Sequence, residues 1–138
     1  MDHGKILGLG HIGLYVSDIA RSRNFYENIL GFECIFSYRN SGVTPVAFEK
    51  NGTCILEIVE KADVASRKDG NVDHIALSVE NIEAVKAKLD AKGIVFEDPD
   101  ITSCPECFPN GSKWILFRGP DGEHLEITEV AAYDTGNQ

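Results

Sequence analysis

The chain has 138 residues, 43% hydrophobic and 25% charged, which fits one compact domain or two half-domains and excludes a disordered chain. Lys and Arg total 13 against 22 Asp and Glu, and the formal net charge of -9 would repel a phosphate backbone, so nucleic acid is excluded as the expected ligand. No run approaches the roughly 18 apolar residues of a membrane span. Met1-Asp2-His3-Gly4-Lys5 leads into no apolar signal core, so a soluble protein of the cytoplasm, with its four cysteines as thiols, is expected.

The chain repeats itself. Gly10-His11-Ile12-Gly13-Leu14-Tyr15-Val16-Ser17-Asp18-Ile19 aligns with Asp73-His74-Ile75-Ala76-Leu77-Ser78-Val79-Glu80-Asn81-Ile82, 63 residues later. Each copy closes on a matching phrase, Leu56-Glu57-Ile58 after Asn51-Gly52 and Leu125-Glu126-Ile127 after Asp121-Gly122.

In chain order, the first strand places Ile12, Leu14 and Val16 on one face and His11, Gly13 and Tyr15 on the other. Ser17 or Asp18 caps a helix whose face carries Ile19, Tyr26, Ile29 and Leu30 and which Gly31 ends. Strands are predicted near 33–39, 43–50 and 53–60, the last two joined by a hairpin turn at Asn51-Gly52. The second copy repeats the pattern: a strand with Ile75, Leu77 and Val79, a helix with Ile82, Val85 and Leu89 ending at Gly93, and strands near 94–97, 113–118 and 123–129. The expected organisation is a single domain over 1–138, with a βαβββ module at 8–60, a charged linker at 61–70, a second module at 71–130 and a frayed tail at 131–138. Residues 98–112, with Pro99, Pro105, Pro109 and Gly111, read as a long irregular loop of the second copy, fit to cover a site.

His11, Glu57, His74 and Glu126 occupy equivalent places, an imidazole from each first strand and a carboxylate from each last one. A single outward His or Glu on a strand is usually solvated, but four at matched positions point to a site. Two imidazoles and two carboxylates suit Ni²⁺, Zn²⁺, Co²⁺, Mn²⁺ or Fe²⁺ rather than the all-oxygen cage of Ca²⁺. His124 shares the Glu126 face and is read as a rim side chain, a substrate contact or an acid. Tyr15 and Ser78 are matched polar residues on the ligand faces. Trp114 is a candidate pocket wall, although aromatic residues in such patterns more often fill a core. Cys104-Pro105-Glu106-Cys107 has zinc-like spacing without a second pair, and Glu97-Asp98-Pro99-Asp100 reads as a solvated turn.

The phrases Gly10-His11-Ile12-Gly13-Leu14-Tyr15-Val16, Phe25-Tyr26-Glu27-Asn28-Ile29-Leu30-Gly31-Phe32, Asp73-His74-Ile75-Ala76-Leu77 and Gly119-Pro120-Asp121-Gly122-Glu123-His124-Leu125-Glu126 resemble those of the vicinal oxygen chelate superfamily. The resemblance implies an α+β fold in which two βαβββ modules form a half-open eight-stranded barrel around one divalent metal, commonly in a homodimer. The set His11, Glu57, His74, Glu126 is similar to that of glyoxalase I (lactoylglutathione lyase). It implies a metal-dependent lyase or isomerase that converts a 2-oxoaldehyde–thiol hemithioacetal to a 2-hydroxyacyl thioester through a metal-stabilised enediolate, with Glu126 or Glu57 as the catalytic base. Tyr15 stands where glutathione-using members carry Arg, and Lys61 where they carry Asn, so the glutathione clamp is not reproduced and the thiol partner stays open. Epimerase or ring-cleaving dioxygenase chemistry, or a ligand-sequestering protein of the bleomycin-resistance kind, are the other activities that the resemblance implies.

Overall fold

The computed structural model describes residues 4–64 and 68–130, which fall into two compact units divided after Val64. The first unit runs β1 (Ile12–Val16), α1 (Ile19–Asn24), a π-helical turn (Phe25–Ile29), β2 (Glu33–Asn40), β3 (Thr44–Asn51) and β4 (Cys54–Glu60). The second runs β5 (Ile75–Ser78), α2 (Ile82–Ala91), β6 (Thr102–Cys104), β7 (Ser112–Arg118) and β8 (His124–Val130). Each unit is a βαβββ module with a four-stranded mixed sheet, ordered β1-β4-β3-β2 in one and β5-β8-β7-β6 in the other. The outer pairs β1–β4 and β5–β8 are parallel because the helix makes the crossover between a first strand and its neighbours.

Strand alternation sorts each sheet into two faces. In the first unit Ile12, Leu14 and Val16 pair with Leu56, Ile58 and Glu60, and Val16, Leu56, Ile58 and Ala47 are buried with Phe25, Tyr26 and Phe32. In the second, Leu125, Ile127, Ile115 and Phe117 are buried with Ile82 and Leu89 of α2. Burying each such side chain stabilises its module by about 1.5–3 kcal/mol.

Both helix starts use the same two devices. Asp18 Oδ1 accepts from the Arg21 amide at 3.1 Å and Asn81 Oδ1 from the Ala84 amide at 3.3 Å. In addition a carboxylate from each last strand reaches over: Glu60 accepts from the Ile19 amide at 3.0 Å, and Glu129 from the Ile82 amide at 2.7 Å. A negative charge at a helix N-terminus satisfies orphan amides and complements the dipole. The first helix departs from regular α geometry at its end, where the Leu30 amide donates to the Phe25 carbonyl at 3.1 Å, before Gly31 at φ +81° ends it.

The structure corrects four expectations. The strand expected at 94–97 is a single bridge between Phe96 and Phe117, extended only by the Glu97 amide on the Leu116 carbonyl at 2.9 Å. Pairing stops there because Pro99 has no amide to donate. The edge strand is instead β6, inside the segment expected to be an irregular loop. Its end carries the third correction: Cys104 and Cys107 form a disulfide, with Cα atoms 5.4 Å apart across a turn closed by the Cys107 amide on the Cys104 carbonyl, while Cys34 and Cys54 remain thiols. The first hairpin turns at Gly52 and Thr53, since Asn51 pairs with Cys54. Part of the expected linker, 65–67, and the expected tail, 131–138, lie outside the described residues.

Candidate functional site

In the first unit His11 stands one residue before β1, and Glu57 lies opposite Gly13 on β4. His11 Nε2 is 3.6 Å from Glu57 Oε1, and the imidazole meets Phe48 edge-on at 5.5 Å between ring centroids. Phe48 pairs in register with Glu57, so it shares the ligand face. Gly13 keeps the strand beside the carboxylate bare: a Cβ there would sit 3.7 Å from Glu57 Oε1. In the second unit the small Ala76 stands opposite Glu126.

In the second unit His74 Nε2 is 3.1 Å from Glu126 Oε2, and its Nδ1 is 2.9 Å from Asp73 Oδ2. A neutral imidazole carries one N–H, so it donates to one of these carboxylates and turns a lone pair toward the other. With the proton on Nδ1 toward Asp73, Nε2 is the free ligand nitrogen, and the Asp73 carboxylate orients the ring. Burial pushes the Glu126 carboxyl above its ordinary range, opposed by His74, His124 and a hydrogen bond with Thr128. Its side chain is 13% exposed against 26% for Glu57.

His124 is drawn into this site rather than left on a rim. Its Nε2 is 3.1 Å from Glu97 Oε1, its Nδ1 3.3 Å from Asp73 Oδ2, and its ring meets that of His74 edge-on at 5.9 Å. Arg118 closes the network, gripping Asp69 through two bonds of 2.7 and 2.9 Å and Glu97 through its Nε at 3.0 Å. Glu97, expected in a solvated turn, is thus a member of the polar cluster. Asp69, Asp73 and Arg118 were not singled out by sequence reasoning. One signal was available for Asp73, because the repeat places Gly10 at the matching position. Phe48 was missed because the turn expected at Asn51-Gly52 sets Val46 opposite Glu57, whereas the observed turn at Gly52-Thr53 sets Phe48 there.

Of the remaining candidates, Tyr15 is on the ligand face of β1 and Lys61 Nζ lies 5.4 Å above its ring. Ser78 and Trp114 both pair with Thr128, which places them on the Glu126 face of the second sheet. Phe25, Tyr26 and Phe117 are core residues.

The His–Glu separations suit a shared cation. A nitrogen and an oxygen each about 2.1 Å from one ion stand about 3.0 Å apart at right angles and about 3.4 Å apart in a tetrahedron, near the observed 3.1 and 3.6 Å.

With this geometry in view, known proteins supply the comparison. The model of the Glyoxalase/Bleomycin resistance protein/Dioxygenase superfamily matches residues 8–127. YwbC of Bacillus subtilis, an uncharacterized protein, is 32% identical over 123 residues, covering 86% of this chain and 94% of its own. The lactoylglutathione lyase of Salmonella typhimurium is 30% identical over 127 residues, covering 87% and 90%. The fosfomycin resistance protein FosX of Listeria monocytogenes, solved with Mn(II) and sulfate, shares the fold at a TM-score of 0.70, with 21% identity over 92% of this chain and 95% of that one. No helix among the described residues is long and apolar enough to cross a membrane. Strand order, the repeated His and Glu positions and the match over nearly the whole length lead to one conclusion: the chain belongs to the Glyoxalase/Bleomycin resistance protein/Dioxygenase superfamily.

Proposed function

We propose that His11, Glu57, His74 and Glu126 together ligate one divalent ion, Ni²⁺, Zn²⁺ or Co²⁺ before Mn²⁺ or Fe²⁺, and that the protein is a glyoxalase I-type lyase acting on a 2-oxoaldehyde–thiol hemithioacetal. The observation that carries this reading is His74, held between Asp73 at 2.9 Å and Glu126 at 3.1 Å with one nitrogen free to ligate. When bound, the ion supplies Lewis acidity that stabilises negative charge on adjacent substrate oxygens.

The chain's own residues do the rest. Glu126 takes the proton from the substrate's C–H carbon and returns it to the neighbouring carbon, so the hemithioacetal becomes a 2-hydroxyacyl thioester with no net oxidation. Its burial, 13% exposed against 26% for Glu57, keeps that transfer away from water. Glu57, the more exposed carboxylate, is the alternative base. Tyr15 with Lys61 and, in the second unit, Ser78, His124 and Trp114 contact the substrate. Lys61 offers a cation for an anionic thiol, but Tyr15 offers no guanidinium clamp, which argues for a thiol other than glutathione. In this reading the 138 residues act as one domain, in a cytoplasmic homodimer.

Turnover of methylglyoxal hemithioacetals, measured across a panel of thiols with metal-loaded protein, tests it. Isomerase turnover abolished in Glu126→Gln supports the reading. Absence of turnover with every thiol, or efficient glutathione turnover at micromolar substrate, contradicts the activity or the thiol assignment respectively. The 24% identical metallothiol transferase FosB of Bacillus licheniformis, matched over 97% of this chain, makes metal-dependent thiol transfer the control reaction.

A further inference from the structure

The opposite face of the first sheet holds a second group of ligand-type side chains. Glu49 and Cys34 pair directly across β3 and β2, and Glu27 comes down on them from the π-helical turn. One ligand atom from each of the three lies within 4.8 Å of the others. Glu49 pairs with Leu56, whereas Glu57 pairs with Phe48, so this cluster and the His11–Glu57 pair are on different faces.

Glu49 is fully buried, and among the described residues no donor reaches either of its carboxylate oxygens. Arg23 binds Glu27 at 2.7 Å but leaves its Nε 3.8 Å from Glu49 Oε1. Burial pushes Glu49 up to about 8, a hydrogen bond from its protonated carboxyl to Glu27 adding to the rise and Arg23 opposing it. The ordinary state of this place is seen in the second unit. There Phe117 pairs with Leu125 as Glu49 pairs with Leu56, and Phe96 bridges to Phe117 as Cys34 pairs with Glu49. The two phenyl rings meet edge-on at 5.5 Å, above them Lys86 binds Asp90 at 2.9 Å as Arg23 binds Glu27, and Phe117 is as buried as Glu49. The module therefore accepts an apolar pair here, and once ionised the buried Glu49 carboxylate has no donor and only costs stability.

We infer that Glu27, Cys34 and Glu49 form a second divalent-cation site, suited to a thiophilic ion such as Zn²⁺, on the helix-covered face of the first sheet. Two carboxylates and a thiolate carry three negative charges, which one divalent ion and the Arg23 guanidinium neutralise. Binding releases the thiol proton, now donated to the Phe36 carbonyl at 3.6 Å, and brings the three ligand atoms to about 2.0–2.3 Å from the ion. Cys34 is only half-buried, so an ion can enter beside it.

Co²⁺ titration of the full-length His74→Ala/Glu126→Gln protein, followed by the cobalt–thiolate charge-transfer absorption, isolates this site from the proposed centre. The expected result is a thiolate band saturating near one equivalent, lost completely in Cys34→Ser, weakened at least tenfold in affinity in Glu49→Gln, and unchanged in Cys54→Ser or Cys104→Ser/Cys107→Ser. Circular dichroism of each variant verifies that the fold persists. No band at saturating Co²⁺, or a band that survives Cys34→Ser, overturns the assignment and leaves Glu27 and Glu49 as a carboxyl pair sharing one proton.

Discussion

His74 leans on Asp73 and faces a carboxylate that is largely buried, whereas His11 follows Gly10 and faces one that is twice as exposed. The strands that carry the two pairs are the same in register and direction, so the difference lies in what surrounds them: Asp73, Glu97, His124 and Arg118 in the second unit, the apolar ring of Phe48 in the first. Duplication supplies the ligand types; the second unit adds a polar network that orients a ring, and its burial, opposed by His74 and His124, raises the Glu126 carboxyl. The helix-covered faces differ in the other direction. The second unit keeps Phe96 and Phe117 there, and the first holds Cys34 and Glu49.

The largest expected effect follows from the asymmetry of the carboxylates. Glu126→Gln should lower kcat by about 10³-fold or more, while Glu57→Gln lowers it by about tenfold through weaker charge neutralisation. Equal losses in steady-state assays would erase the distinction between the units. Next comes the orienting carboxylate: Asp73→Asn should weaken metal affinity by about 10–100-fold, and Gly10→Ala, where a Cβ meets nothing within 4 Å, should leave it within about threefold in competition titrations.

A smaller effect concerns Glu49. Its folded value of about 8 lies above the ordinary 4.5, so the folded state retains a proton that the unfolded state has released between those values. Its contribution is full below about pH 4.5 and is lost as pH rises through 8. In chelator-treated protein, Glu49→Gln should therefore gain stability relative to wild type between pH 5 and pH 8, by about 1–3 kcal/mol, read as a rising difference in Tm. A flat difference would show that Glu49 is compensated in the folded protein. Smallest is Lys61→Ala, for which a KM increase of a few fold with kcat unchanged is expected, since an exposed cation over the Tyr15 ring contributes binding alone.

The ligand pairs were legible because strand period and repeat spacing act on neighbouring residues: a His two positions from Gly13, a Glu between Leu56 and Ile58. The Arg118 network was not, because Asp69 and Glu97 join Arg118 across 49 and 21 residues and no local pattern announces such pairings. The Glu60 and Glu129 helix caps escaped notice for a related reason, as a carboxylate closing a strand reads as solvated until the helix start is seen beside it. Edge strand β6 was misplaced because Val95 and Phe96 look more strand-like than Thr102-Ser103-Cys104. Pairing is decided by which backbone reaches Ser112–Trp114, not by side-chain propensity. Cys104-Pro105-Glu106-Cys107 is equally consistent with metal, redox and disulfide chemistry until the turn brings the two Cα atoms together.

The central claim is that two His–Glu pairs share one ion. Metal content after exhaustive dialysis, measured in a Cys34→Ser background to remove the second site, tests it most directly. About one divalent ion per chain is expected, lost on adding either His11→Ala or His74→Ala. Retention of no ion, or about two ions per chain lost separately with each histidine, would contradict a shared centre.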